Sequence, residues 1–218
     1  MKYLADKAWW LHIGKTLKYS LYVSTHPLDG FWDLTHEKRG SIAAANIIVA
    51  AMVIVQVLTI TLTSFQFIDV NMENFNAIIV FMRILLPIFL WTVANWSFTT
   101  LMDGKGKMSE IYMAVAYAMT PYVIINAVLI VISRVITFDE GVVYTFLYWF
   151  SMLWTAVLIL AGMMMVHDYS LGKTFLSSLL TIIGMGIIVF IFVVFFSLVS
   201  DAVAYFVSLY KEILFRVI

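Results

Sequence analysis

Five unbroken apolar runs decide most of what this chain can become. They cover residues 41–63, 75–96, 111–132, 142–166 and 175–200, each 22 to 26 residues long. A helix crossing the ~30 Å hydrocarbon core of a bilayer needs about 20 such residues. Only one charged residue, Arg83, falls inside the runs, and the other 25 Lys, Arg, Asp and Glu lie outside them. Strands of a membrane barrel would alternate apolar and polar residues over about ten positions. These runs do not alternate, so they are helices, whose backbone groups are satisfied within the segment. With 63% hydrophobic and 12% charged residues, the chain lies far from the roughly 45–50% apolar and 25% charged residues of soluble domains. A soluble globular domain and a disordered chain are both excluded. The expected fold class is all-α: a polytopic membrane protein with five transmembrane helices. Residues 1–40 are expected as an N-terminal cytoplasmic or interfacial segment, and residues 41–218 as the five-span membrane domain.

The formal net charge is zero and no basic block occurs, so nucleic acid is not an expected partner. Cysteine is absent, which excludes disulfides, thiol catalysis and thiolate metal ligands. No signal-peptide pattern precedes residue 41, so the first span is expected to act as the insertion signal. Lys and Arg in the connecting segments fall nine to three in favour of the side carrying the N-terminus. The positive-inside rule then predicts a multi-pass protein of the cell (cytoplasmic) membrane, with the N-terminus cytoplasmic and the C-terminus outside.

Two flanking segments are amphipathic. In residues 2–23, Trp9, Trp10, Ile13, Leu17 and Leu21 share one face, with Lys7, Lys15 and Lys18 opposite. This predicts a helix lying on an anionic membrane surface, ended by Pro27. After Asp201, Phe206, Tyr210, Ile213 and Val217 form an apolar stripe opposite Ser208, Lys211, Glu212 and Arg216. The last helix is too long for a single span, so it either bends near Asp201 onto the outer surface or projects outward.

The order of several short motifs carries a resemblance. His26-Pro27-Leu28-Asp29-Gly30-Phe31-Trp32 is followed by Lys38-Arg39-Gly40-Ser41 at the mouth of the first span. Further on stand Trp96-Ser97-Phe98-Thr99-Thr100-Leu101, Asp103-Gly104-Lys105-Gly106 and Ala116-Tyr117-Ala118-Met119-Thr120-Pro121-Tyr122. From about residue 20 onward the chain resembles bacterial members of the Yip family, five-span membrane proteins named for Rab-GTPase-interacting relatives in eukaryotes. The resemblance implies a membrane-shaping, trafficking or complex-assembly role. For bacterial relatives, often encoded beside sugar-uptake ABC transporters, it implies an accessory membrane subunit. The Asp-Leu-Tyr-Gly-Pro signature of many eukaryotic members is missing here, so GTPase binding is not carried over.

Chemistry-bearing residues are few. Arg83 is expected to snorkel toward the outer surface or to pair with Asp201 rather than bind a substrate. The run Asp103-Gly104-Lys105-Gly106-Lys107 lacks phosphate-loop spacing and reads as a flexible turn. With Lys38 and Arg39 on the same face, Lys105 and Lys107 could meet anionic lipid headgroups. His26, Pro27, Asp29 and Gly30 complete the motif residues of that face. His12, His26, His36 and His167 show no metal-ligand spacing and read as lone surface histidines, with His36-Glu37 and His167-Asp168 as local pairs. No metal and no cofactor are expected. No Gly-x-Ser-x-Gly occurs, and no span contains a carboxylate for aspartyl chemistry. Asn46, Gln56, Asn95 and Asn126 should face other helices. Ala114, Ala116 and Ala118, like Gly184 and Gly186, should offer close-packing faces. Pro87 and Pro121 should kink their spans. Trp91, Trp96, Tyr144, Tyr148 and Trp149 read as interface anchors, and Met163, Met164 and Met165 as soft packing.

The expected function is that of a non-catalytic accessory or scaffold subunit. Its partners would be the bilayer with its anionic headgroups and another membrane complex, such as the subunits of a carbohydrate ABC transporter. The alternative is an independent small-solute transporter or channel using Arg83 and the kinked second and third spans. An enzyme ranks third, and a buried cluster of Arg83, Asn95 and His167 would be its mark.

Overall fold

The computed structural model describes residues 7–67 and 75–217, the side chains of 7–10, 138 and 216–217 excepted. Trp9, Trp10 and Lys7 of the amphipathic stripe therefore lie outside the described side chains, as does Arg216. Eight α-helices follow one another: α1 (Lys7–Thr25), α2 (Pro27–His36), α3 (Ile42–Leu62), α4 (Ala77–Leu101), α5 (Met108–Ala118), α6 (Thr120–Ile132), α7 (Gly141–His167) and α8 (Leu171–Val217). A 3-10 turn, Phe138–Glu140, leads into α7. With α5 and α6 taken as one, five helices are long and apolar enough to cross a membrane. They coincide with the five runs read from the sequence.

Local signals set the ends. Ser41 caps α3 by accepting the Ala44 N–H at 3.0 Å, and Asn76 caps α4 by accepting the Ile78 N–H at 2.9 Å. Both caps engage backbone donors that a helix start leaves unpaired. Glu110 reaches back to the Lys107 N–H at 2.9 Å and fixes the start of α5. Asp103 and Asp168 adopt the left-handed conformation, with φ of 58° and 54°. Each lets the following N–H turn back into the preceding helix, Gly104 to Thr99 O at 2.7 Å and Tyr169 to Met164 O at 3.0 Å, the Schellman closure. Pro121 stands in the first turn of α6, just past the single-residue break at Met119 that divides the third span. Having no N–H, it leaves a gap in the ladder there. Pro87 stands within α4, which runs on through it.

The helices alternate between two faces. Residues 37–41, 102–107 and 168–170 gather at one end, here the N-terminal face. The opposite, far face holds the connections after α3 and α6, where Arg134 Nε donates to Leu62 O at 2.6 Å and Ser64 N–H donates to Ser133 Oγ at 3.3 Å. Between the faces, each intramembrane amide joins its helix to another. Asn46 Oδ1 accepts from Tyr112 at 2.7 Å and Gln56 Oε1 from Tyr122 at 2.9 Å, while Asn126 donates to Ser151 at 3.2 Å and Asn95 to Thr181 at 3.0 Å. Polar groups without water must find such partners. Ala114, Ala116 and Ala118 are fully buried around Tyr117 in the core, and Met163 packs beside them. Of Gly184 and Gly186, only Gly184 is a packing position. A Cβ there would overlap the Phe98 ring, whereas one on Gly186 would meet nothing within 4 Å. Tyr144 is not an exposed anchor: it is buried, stacked on Phe67 at 4.9 Å.

At the N-terminal end the structure departs from the expected arrangement. Pro27 does not merely end α1; it opens α2, and the two helices form a hairpin packed on α3, α5, α6 and α7. The described face that α1 buries is Ile13, Thr16, Ser20 and Val23, while Leu21 of the expected stripe is 49% exposed. The reason is that the Thr16 and Ser20 hydroxyls donate to Ile13 O and Leu17 O of their own helix, at 2.9 and 2.7 Å. Once satisfied in this way, small polar residues permit a close approach that bulkier leucines do not. At the other end, α8 continues without a break through Asp201. Its 47 residues extend about 70 Å at 1.5 Å per residue. Thr174, Ser177, Ser178, Thr181 and Gly184 are buried, and from Val189 to Phe215 every side chain is exposed.

Candidate functional site

The polar side chains concentrate at the N-terminal face, and the α1–α2 hairpin forms one wall of that cluster. Gly30 lets the helices cross closely, since a Cβ there would lie 2.7 Å from Val23 Cα. Tyr19 Oη donates to Gly30 O at 3.0 Å and to Asp33 Oδ2 at 3.3 Å. Burial, with the Asp33 carboxylate beside it, pushes the Tyr19 hydroxyl well above the ordinary tyrosine range. Arg39 reaches Asp33 at 3.0 Å and Glu37 at 2.6 Å, so Glu37 pairs with Arg39 and not with His36. The hairpin tip is held by Trp154, whose Nε1–H donates to Ser24 O at 3.1 Å. Trp154 stands 13 residues before the end of α7, about 20 Å along the helix from the N-terminal face. Thus the hairpin reaches well inside the bundle instead of lying flat on its end. At the tip His26 is exposed and stacked on Tyr22, Pro27 is half-buried, and Asp29 is exposed, without a hydrogen bond or ion pair among the described residues.

The opposite wall is the loop between α4 and α5, closed on the end of α7. His167 is not a surface histidine: it is 1% exposed. Gly106 N–H lies 3.2 Å from His167 Nδ1, and Nε2 lies 2.9 Å from Asn95 Oδ1. A backbone N–H only donates, so Nδ1 accepts and the imidazole proton sits on Nε2, facing Asn95. Asn95 in turn donates to Thr181, and Thr181 to Ser177 O at 2.8 Å. One chain of hydrogen bonds therefore links the loop, α7, α4 and α8. Gly106 is required where it stands, because a Cβ would run into Val166 and the imidazole. Asp168 receives Lys105 at 2.9 Å and lies 3.8 Å from His36. Tyr169 Oη donates to Met102 O at 2.9 Å, and Lys173 lies over its ring at 4.2 Å. Burial and the nearby Asp103 push the Tyr169 hydroxyl up. Tyr117 Oη, from the core, accepts the Ser41 N–H at 3.3 Å.

The turn from Asp103 to Lys107 is accordingly a clamp and not a free loop. Of the four cations expected on this face, Lys105 and Arg39 face carboxylates, while Lys38 and Lys107 make no ion pair among the described residues. The enzyme mark is half present: Asn95 and His167 meet, but Arg83 stands 12 residues earlier on α4, about 18 Å along its axis. The expected pair with Asp201 does not form. The register set by Asn95 against Thr181 places Arg83 opposite residue 193 of α8, about 12 Å short of Asp201. Arg83 instead faces a cavity lined by α3 and α7. Among the described residues no group of three or more His, Asp or Glu stands where it could hold a metal ion. The His167 cluster was missed from sequence. Its signal was topological: Asn95 and His167 end the second and fourth runs on the same predicted face.

An all-α bundle with five membrane-length helices, its polar groups knotted at one face, defines a multi-pass membrane protein. The family model described as the Yip1 domain matches residues 21–208, and the chain belongs to that family. No curated protein and no solved structure matches it. The match begins inside α1, so the hairpin tip, α2 and the clamp fall within the matched residues, while residues 7–20 of α1 precede them.

Proposed function

We propose that this protein is a non-catalytic subunit that scaffolds or organises a membrane complex, set in the cell membrane with its N-terminal face cytoplasmic. The observation that carries this reading is a contrast between two surfaces. At the N-terminal face the groups able to do chemistry, His167, Asn95, Asp168 and Tyr169, are bonded to one another and to backbone. From Val189 to Val199, α8 presents an apolar surface that the bundle leaves uncovered. A buried, mutually satisfied cluster rigidifies a fold, and an exposed apolar helix offers a face to other membrane helices. The family resemblance points to a transport complex, a carbohydrate ABC transporter, as partner, and Lys38 and Lys107 to anionic headgroups.

The test is co-purification in native-membrane nanodiscs, comparing wild type with a chain carrying Phe192→Ala and Phe196→Ala. Transporter subunits recovered with wild type and lost with the variant support the scaffold. The competing reading, a transporter in its own right, draws on the Arg83 cavity and the broken third span. Recovery of the protein alone, together with solute flux in liposomes, would replace the first reading with the second.

A further inference from the structure

The far half of the bundle holds a cavity of about 980 Å³ between α3, α4 and α7. Its polar groups come from three helices at one depth. Gln56 lies six residues before the end of α3, Arg83 six residues after the start of α4, and Tyr148 seven residues after the start of α7. Each is therefore about 9–10 Å from the far end of its helix. Thr59, Gln66 and Thr145 add further hydrogen-bonding groups, and Ile60 and Phe146 supply apolar wall. This differs from the cavity of about 610 Å³ between α3, α4 and α5, whose walls are almost wholly apolar. No carboxylate lines the cavity among the described residues. Helical side chains lean toward the helix N-terminus, so the Arg83 side chain is directed to the far edge, where lipid phosphates lie. The cavity is open, not enclosed.

We infer that this cavity binds the phosphate of an anionic amphiphile. Arg83 would grip the phosphate in its two-pronged manner, the amides and hydroxyls would complete its shell, and the first methylenes would lie along Ile60 and Phe146. This inference does not depend on the scaffold reading. A phosphate ester could come from a membrane lipid or from a free solute, and a cavity of this size with apolar wall beside its polar end fits the lipid.

Native mass spectrometry of the full chain in detergent tests it, using phosphatidylglycerol, phosphatidylcholine of the same chain length, and soluble glycerol phosphate as separate probes. The expected result is one retained phosphatidylglycerol, preferred over phosphatidylcholine. Arg83→Gln should weaken it roughly 10- to 100-fold, the worth of a charge-assisted hydrogen bond, and Arg83→Lys should restore part of the loss. Lipid-free thermal unfolding of both variants should match wild type, separating lost binding from lost folding. Equal retention of the two lipids, or retention unchanged by Arg83→Gln, overturns the inference. Glycerol phosphate binding as tightly as the lipid overturns the amphiphile in favour of a solute. A loss of lipid-free stability shared by Arg83→Gln and by Asp69→Asn or Glu73→Gln, with lipid retention unchanged, would show the cation held by the chain's own carboxylate and would likewise overturn it.

Discussion

Replacing His167 by Ala tests the claim that the clamp holds the N-terminal face together. The substitution removes two hydrogen bonds, to Gly106 N–H and to Asn95 Oδ1. Interhelical hydrogen bonds in membranes average only about 0.6 kcal/mol, with a maximum near 1.7, so the bonds alone are a modest loss. Most of the damage comes from the groups left behind. Asn95 is fully buried, and its orphaned carbonyl costs about 1–3 kcal/mol. The vacated imidazole volume, against Val166 and the Gly106 loop, leaves a cavity that costs about 1–2 kcal/mol more. The expected loss is thus about 3–5 kcal/mol, a fifth or more of the 5–15 kcal/mol that holds a typical domain together. Equilibrium unfolding in mixed detergent micelles measures it. Asn95→Ala and the double variant complete a cycle whose coupling should lie near 0.6–1.7 kcal/mol. A loss below about 1 kcal/mol for His167→Ala, or strict additivity in the cycle, would refute the argument.

Other substitutions probe separate features. Gly184→Val should destabilise by about 1–3 kcal/mol through overlap with Phe98, whereas Gly186→Val should be near neutral; equal thermal shifts would contradict the assigned α4–α8 contact. Removing residues 201–218 should change bundle stability by no more than about 0.5 kcal/mol, as read by thermal unfolding, because residues 201–215 are exposed. Tyr169 is held neutral in the folded state, its folded pKa raised above its unfolded value near 10. Its contribution is therefore intact below pH 10 and lost as pH rises through the folded value. Tyr169→Phe should flatten the alkaline loss of stability, and an unchanged alkaline limb would exclude this residue as its source.

Much of this architecture could be read before any coordinates. The five runs are unbroken, and a bilayer admits one answer to such runs, so spans and helix type followed directly. The amides Asn46, Gln56, Asn95 and Asn126 could be assigned to helix contacts because oil leaves them no other partner. The buried face of α1 could not be read. Apolar periodicity ranks Leu21 above Thr16 and Ser20, and only the hydroxyl bonds to their own helix reverse that order. His167 was misplaced for a related reason: a histidine at the end of a span looks wet until Gly106 folds over it. The Arg83–Asp201 pair failed on register, since composition says nothing of how far α8 slides past α4.

The bond between Trp154 and Ser24 joins residues 130 positions apart. A ribosome adding about 5–20 residues per second makes the second partner roughly 7–26 s after the first. The hairpin is thus made well before the spans it packs against and is among the last segments to find its seat. Until α7 arrives, Phe31 has no Gly162 to rest against and the hairpin must wait beside unfinished neighbours. Its docking reports that the fourth span has been delivered, which makes the hairpin the latch on the bundle's assembly.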